Sequence, residues 1–269
     1  MPITGSGAGL RDLVGARADH EVAGAGVRQS GPVSRPSHAS MTVLTCARYP
    51  VKSLGGEEPA QLHLEPAGAV GDRAWALRTA HGWVASGKRT RHYVRLPRLL
   101  EMSASTTPDG VVVTLPDGRR FAVDDPHLPA ALAGVLGAPV SVATETDVPH
   151  RDDAPLHLVT TASLRWWTAQ VPDERADWRR LRPNVVVATG GDERVEDEWV
   201  GRRLRIGDAT VSVVDPTERC VMVSQDQCGL GRAPRLFRAL AGREMMLGVY
   251  ARVVVPGTVR TGDAVEVVP

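Results

Sequence analysis

EMSASTTPDGVVVTLPDGRRFAVDD, residues 101–125, sets three short β-favouring runs around two copies of Pro-Asp-Gly, at 108–110 and 116–118. Strand, turn, strand, turn, strand is hairpin grammar, because Asp-Gly supplies the backbone conformations that a tight reversal needs. Working outward, the same grammar persists. Upstream lie VLTCARYPV (43–51), QLHLEP (61–66) and DRAWALRT (72–79), all short strand-like runs. Downstream, LPAALAGVLGA (128–138) is a short helix ending on Gly137, and PVSVATE (139–145) returns to strand. HRDDAP (150–155) is polar and turn-like, and marks a domain boundary.

Beyond it LHLVT (156–160) is a strand, and Thr160 or Thr161 is placed to cap a helix through ASLRWWTAQV (162–171). PNVVVATG (183–190) is a buried-strand run, and RRLRIGDATVSVVDP (202–216) a hairpin turned at Gly207-Asp208. APRLFRALAG (233–242) is a short helix stopped by Gly242, and residues 248–269 hold two strands around Pro256-Gly257. The fold class expected is mainly β with short helices (α+β), in two β-barrel-like units. The divisions expected are 1–40, a disordered tail or mis-assigned start ahead of Met41; 41–149, the first β unit; and 150–269, the second.

Composition narrows the function. The 269 residues carry 32 basic and 31 acidic side chains, so no global charge draws the chain to nucleic acid or to an anionic membrane. No apolar run approaches the ~18 residues of a membrane span. Three cysteines build no disulfide framework and match no zinc spacing, which suits a reducing, cytoplasmic setting. No G-x-G-x-x-G fingerprint is present, and GLGRAP (229–234) lacks the Lys-Ser/Thr pair of a phosphate loop.

Four segments place reactive or charged groups at strand ends. Lys52 and Ser53 follow a strand and precede Gly55-Gly56, where a lysine and backbone N–H groups can hold an anion; an ordinary surface lysine is the plainer reading. Arg73 can bind a phosphate or a polar ring, or simply pair with Asp72. Arg182 and Asn184 flank Pro183; the proline favours extended backbone at Arg182, and Asn184 is either a heterocycle contact or a turn residue. Cys220 follows Glu218 and Arg219 at the start of the apolar run VMV; Arg219 would favour its thiolate, although many such cysteines are small buried hydrophobes. The basic run KRTRHYVR (88–95) has one aromatic and makes a poor base-stacking surface, so it is a pocket wall or a solvated loop.

Taken together, YPVKS (49–53), GDRAWAL (71–77), RPNVVV (182–187), EDEWVGRRLRIGD (196–208), ERCVMV (218–223) and GVYARVVVPGTVRTGDAV (248–265) resemble the MOSC family, from about Tyr49 to Pro269. The likeness is to its two-part members, a MOSC N-terminal β-barrel followed by a MOSC domain, such as amidoxime-reducing components. The resemblance implies a molybdenum cofactor whose metal is ligated by Cys220, and cofactor contacts from Lys52, Ser53, Arg73, Arg182, Asn184, Glu218 and Arg219. It implies an oxidoreductase that removes oxygen from N-hydroxylated substrates, with electrons from a separate iron–sulfur, flavin or haem protein. Asp153-Ala154 stands where relatives carry a Thr-Ser pair, bringing negative charge toward a phosphate. The family's founding domain implies an alternative, a sulfur-carrier or cofactor-handling protein working with a pyridoxal-phosphate desulfurase; a binding module without catalysis is a third.

Overall fold

The computed structural model describes residues 41–174, 176–191 and 194–269; the expected tail at 1–40 lies outside the described residues. The strands are β1 (Met41–Cys46), β2 (Gln61–Glu65), β3 (Gly68–Ala69), β4 (Trp75–Thr79), β5 (Val84–Ser86), β6 (Tyr93–Arg95), β7 (Ser103–Thr107), β8 (Gly110–Thr114) and β9 (Arg120–Ala122). Helix α1 (Leu128–Leu136) and β10 (Val140–Thr144) follow, then β11 (Leu156–Thr160), α2 (Thr161–Gln170) and β12 (Val185–Ala188). The chain continues with β13 (Arg203–Ile206), β14 (Ala209–Glu218), α3 (Pro234–Ala239), β15 (Met246–Val255), β16 (Gly257–Arg260) and β17 (Ala264–Val268).

The stretch 101–125 forms the expected meander. β7 pairs with β8 and β8 with β9, both antiparallel, and Gly110 and Gly118 take the positive φ (124° and 87°) that the two turns require. Gly137 caps α1 in the left-handed conformation. Thr160, rather than Thr161, caps α2: its Oγ1 accepts from the Ser163 N–H at 3.1 Å.

Seven strands close into a barrel in the order β1, β12, β11, β15, β14, β13, β17. Every pairing in it is antiparallel except β11 with β12, the two strands joined across α2. Alternation along β13 turns Leu204 and Ile206 inward, where they meet Val43, Leu158, Val185, Val211, Val249 and Val265. β11 and β12 are buried on both faces. Val159 and Val186 point out of the barrel into a second apolar layer with Trp167, Leu181, Leu236 and Leu247. At ~1.5–3 kcal/mol per fully buried large apolar side chain, these faces hold the helices on the barrel.

β1 comes from ahead of the boundary read at 150, yet it fills the gap between β12 and β17 (Cys46 opposite Val185, Met41 opposite Val265). β2 pairs with β16 on one side and β3 on the other, and Leu62 and Leu64 of β2 join the barrel core. The remaining sheets are open: β10-β4-β5-β6 and β7-β8-β9 pack with α1 around Leu54, Leu77, Leu99, Met102, Val113 and Leu132. Two sequence expectations need correction. The segment after β14 is not a strand, because Val221–Ser224 form one 3-10 turn. The C-terminal stretch holds three strands rather than two, since a turn at Gly262 (φ 92°) separates β16 from β17.

Candidate functional site

A cavity of about 520 Å³ lies where the end of β14 and the turn before β12 meet loops from the first half of the chain. Lys52, Ser53, Arg73, Arg182, Glu218, Arg219 and Cys220 all line it. The residues picked out from four separate segments therefore share one cleft. Lys88, Arg89 and Thr90 of the basic run also line it, so that run is a pocket wall rather than a free loop. Asn184 is the exception. It is buried away from the cavity, where Oδ1 accepts from His157 N (3.2 Å) and Nδ2 donates to Ala47 O (3.4 Å). It ties the exit of β1 to β11, the turn-residue reading of that position.

Four cavity residues hold left-handed backbone: Ser53 (φ 68°), Arg73 (φ 54°), Arg182 (φ 56°) and Met245 (φ 65°). The extended geometry expected of Arg182 before Pro183 is therefore overturned. Each non-glycine residue in this region costs ~1–2 kcal/mol, strain that the surrounding hydrogen bonds must impose. Arg73 is held from several sides. Its backbone N donates to Tyr49 O at 2.7 Å, its Nη1 pairs with Asp72, and its Nη2 donates to Arg182 O at 3.3 Å. Asp72, fully buried, also accepts from Tyr49 N at 2.9 Å. Arg182 stacks on the Tyr49 ring, 4.3 Å from its centroid, and its buried Nη2 has no hydrogen-bond partner. Burial, with Arg73 beside it, pushes the Arg182 guanidinium down to about 10.

Arg219 donates from Nη2 to Leu181 O (2.6 Å) and from Nη1 to His157 Nε2 (3.5 Å), and its buried Nε has no partner. Burial and the Arg219 charge hold His157 well below its ordinary pKa, so the imidazole is neutral and accepts this bond. Arg180 is buried and organises the loop that follows Cys220. Its guanidinium donates to the carbonyls of Val223 (3.4 Å), Gln225 (3.0 Å), Leu230 (2.6 Å) and Gly231 (3.0 Å). Cys220 itself, half-buried, stands at the N-terminal end of the 3-10 turn Val221–Ser224, with its thiol on the cavity wall.

The lysine side of the cavity is arranged differently. Lys52 Nζ donates to His150 O at 2.5 Å, lies 4.3 Å from the Tyr93 centroid and pairs with Asp152 Oδ1 at 3.1 Å. Lys88 Nζ pairs with the other oxygen, Oδ2, at 2.9 Å. Burial lowers Lys52 to about 8, and the two lysines hold the Asp152 carboxyl well below the usual carboxylate range. Sequence reasoning fixed on Asp153, which also lines the cavity, and missed Asp152; nothing in RDDAP distinguishes the two carboxylates. It also missed Tyr250, on the cavity wall and edge-on to His157 with ring centroids 5.9 Å apart.

Cys46 and Cys228 do not line this cavity. Cys46 is buried beside β16, and burial pushes its thiol up to about 11. Cys228 faces a smaller cavity of about 130 Å³ with Tyr49, Trp178 and Arg182. Among the described residues, no group of three or more His, Cys, Asp or Glu could hold a metal ion by itself. Nor is any described helix long and apolar enough to cross a membrane.

Two family profiles match the chain in tandem: the MOSC N-terminal beta barrel domain over residues 40–147, and the MOSC domain over residues 145–266. No curated protein matches in sequence. Among solved structures, the YUAD protein from Bacillus subtilis is 15% identical with a TM-score of 0.48, covering 86% of this chain and 97% of its own. YiiM from Escherichia coli is 17% identical (TM-score 0.34; 44% of this chain, 55% of its own). YiiM from Geobacillus stearothermophilus is 15% identical (TM-score 0.36; 62% and 71%). On the two consecutive profile matches, which run from residue 40 to residue 266, the chain belongs to the MOSC family.

Proposed function

We propose that this protein is a molybdenum-cofactor-binding oxidoreductase that reduces N-hydroxylated small molecules, drawing electrons from a separate iron–sulfur, flavin or haem protein. The observation that carries the reading is the convergence of one thiol, Cys220, with Lys52, Arg73, Arg182 and Arg219 on a single cavity. The donor set fits the group. A thiolate is the soft ligand molybdenum takes from a protein, and buried guanidinium nitrogens without partners, Arg182 Nη2 and Arg219 Nε, suit an anionic substituent.

When bound, the cofactor supplies a metal centre that exchanges two electrons and accepts an oxygen atom. The chain's own residues do the rest. Cys220 would present sulfur to the metal from a turn that Arg180 fixes through the carbonyls of residues 223–231. Arg182 and Arg219 would hold the cofactor's phosphate, with Ser53 offering a hydroxyl beside Ser86 (Oγ to Oγ, 3.3 Å). Tyr250 stays protonated at neutral pH, its hydroxyl pushed up to about 12 by burial, and can donate to a substrate oxygen in the cavity.

Metal and pterin analysis of the purified protein, followed by turnover of an aromatic amidoxime with a chemical reductant, tests the reading. Cys220→Ala should abolish turnover; full activity in that variant refutes the mechanism. A persulfide on Cys220 without turnover would favour the sulfur-carrier alternative, with a pyridoxal-phosphate desulfurase as donor.

A further inference from the structure

The walls of the cavity differ in how their charge is spent. On one wall, Lys52 and Lys88 each hold one oxygen of Asp152, at 3.1 and 2.9 Å, so a single carboxylate bridges both ammonium groups. On the other, Arg182 and Arg219 have no carboxylate partner among the described residues, and each keeps a buried nitrogen unpartnered. Arg73 pairs with Asp72.

Asp152 is not a chance neighbour of the lysines. Its loop is tied down on both sides: His150 N donates to Glu145 at 2.6 Å, Tyr93 Oη to Pro149 O at 3.0 Å, and Arg151 Nη2 to Asp72 O at 2.7 Å. The loop thus presents a carboxylate to the two lysines that an anionic ligand would otherwise reach. With two cations on it, this carboxylate stays ionised at any working pH, so acidification does not release the lysines.

We infer that Asp152 is a built-in competitor that sets which anions the cavity takes. A ligand with one phosphate seats on the arginine wall, and a second phosphate enters only by displacing Asp152 from Lys52 and Lys88. The inference rests on the proposed reading only in treating the cavity as an anion site. Its test needs neither molybdenum nor turnover.

The test is calorimetric titration of the full chain, produced in a host that makes no pterin cofactor, with inorganic phosphate and with pyrophosphate. Asp152→Asn should tighten pyrophosphate about tenfold, the effect of freeing a part-buried ion pair, and phosphate by less than about threefold. Asp153→Asn removes the same charge from the cavity without touching a lysine, and should change pyrophosphate by less than about threefold. Lys88→Met should matter little beside Asp152, but should cost about tenfold in the Asp152→Asn background, because only there is Lys88 free for the ligand. Equal tightening of both anions, equal effects of the two Asp→Asn changes, or the same Lys88→Met penalty in both backgrounds overturns the inference; so does failure of every variant to bind either anion. Asp152→Ser serves in the same cycle if the Asn variant folds poorly. If the chain passes these tests but, produced separately in a host that makes the pterin cofactor, carries no molybdenum, the proposed function is sunk and the role of Asp152 stands.

Discussion

Arg180→Met removes the guanidinium beneath the Cys220 turn while keeping most of the side-chain volume. Arg180 is 1% exposed and donates to four main-chain carbonyls, at 3.4, 3.0, 2.6 and 3.0 Å. Hydrogen bonds from a charged donor contribute ~1.5–3 kcal/mol each, and a buried carbonyl left without a partner costs ~1–3 kcal/mol. Counting the three shorter bonds at the low end gives ~4.5 kcal/mol. Three of the four bonds are only part-buried, so water can reach those carbonyls in the variant. The net loss expected is then ~3–4 kcal/mol. With a urea slope of ~2–3 kcal/mol/M, the unfolding midpoint should fall by ~1–2 M. The loop carrying Val221–Ser224 should also loosen, so a thiol-specific reagent should modify Cys220 faster in folded Arg180→Met than in the wild type. Arg180→Lys should recover less than half of the stability, because one ammonium cannot span four carbonyls. A midpoint shift below about 0.3 M for Arg180→Met would refute the claim that this arginine organises the loop.

Thr160→Ala should cost ~2–3 kcal/mol in chemical denaturation, since it removes the α2 cap and a 2.7 Å hydrogen bond to the buried Glu196 carboxyl; Thr160→Ser should restore most of it. Gly55→Ala should cost ~1–3 kcal/mol, because its Cβ would lie 2.3 Å from Cys228 Sγ; thermal melts should show Cys228→Ala recovering at least half, and no recovery would discount the clash. Lys52 releases its proton near pH 8 when folded and near its ordinary 10.5 when unfolded. The unfolded state therefore binds more protons between those limits, and stability should rise with pH across that window. Urea titrations at pH 7.5 and 9.5 should show a larger rise for wild type than for Lys52→Met, and equal rises would disprove the burial of that charge.

The local elements were legible because their causes are local. Two Pro-Asp-Gly turns, a capping Thr160 and a terminal Gly137 each act within a few residues. Barrel closure was not legible, because nothing in Met41–Cys46 says that its partners are Val185–Ala188 and Ala264–Val268. The site was read from residue type at strand ends, which brought seven residues to one cavity but misplaced Asn184, whose neighbours in sequence resemble those of a ligand contact. Arg182 defeated the pre-proline rule because the Tyr49 ring, the bond from Arg73 to its carbonyl and the preceding 3-10 turn at Trp178–Arg180 impose a left-handed φ. These are tertiary contacts, invisible one segment at a time. Asp152 and Asp153 are alike in sequence, and only the fold brings Lys52 and Lys88 to the first of them.

The place of β1 in the barrel also fixes an order of events during synthesis. β1 ends at Cys46, whereas its flanking strands end at Ala188 and Val268. At ~5–20 residues per second, β1 waits about 10–45 s for its last neighbour to be made. Until Val185–Ala188 are made neither edge of β1 has its barrel partner, and one edge stays open until Ala264–Val268 follow. Residues 156–268, made later, cannot close without it. The second half of the chain, translated alone, would carry open edges at β12 and β17, the kind of strand edge that pairs with other chains and aggregates. For this protein, halving the chain at its sequence boundary divides a barrel that only the two parts together can complete.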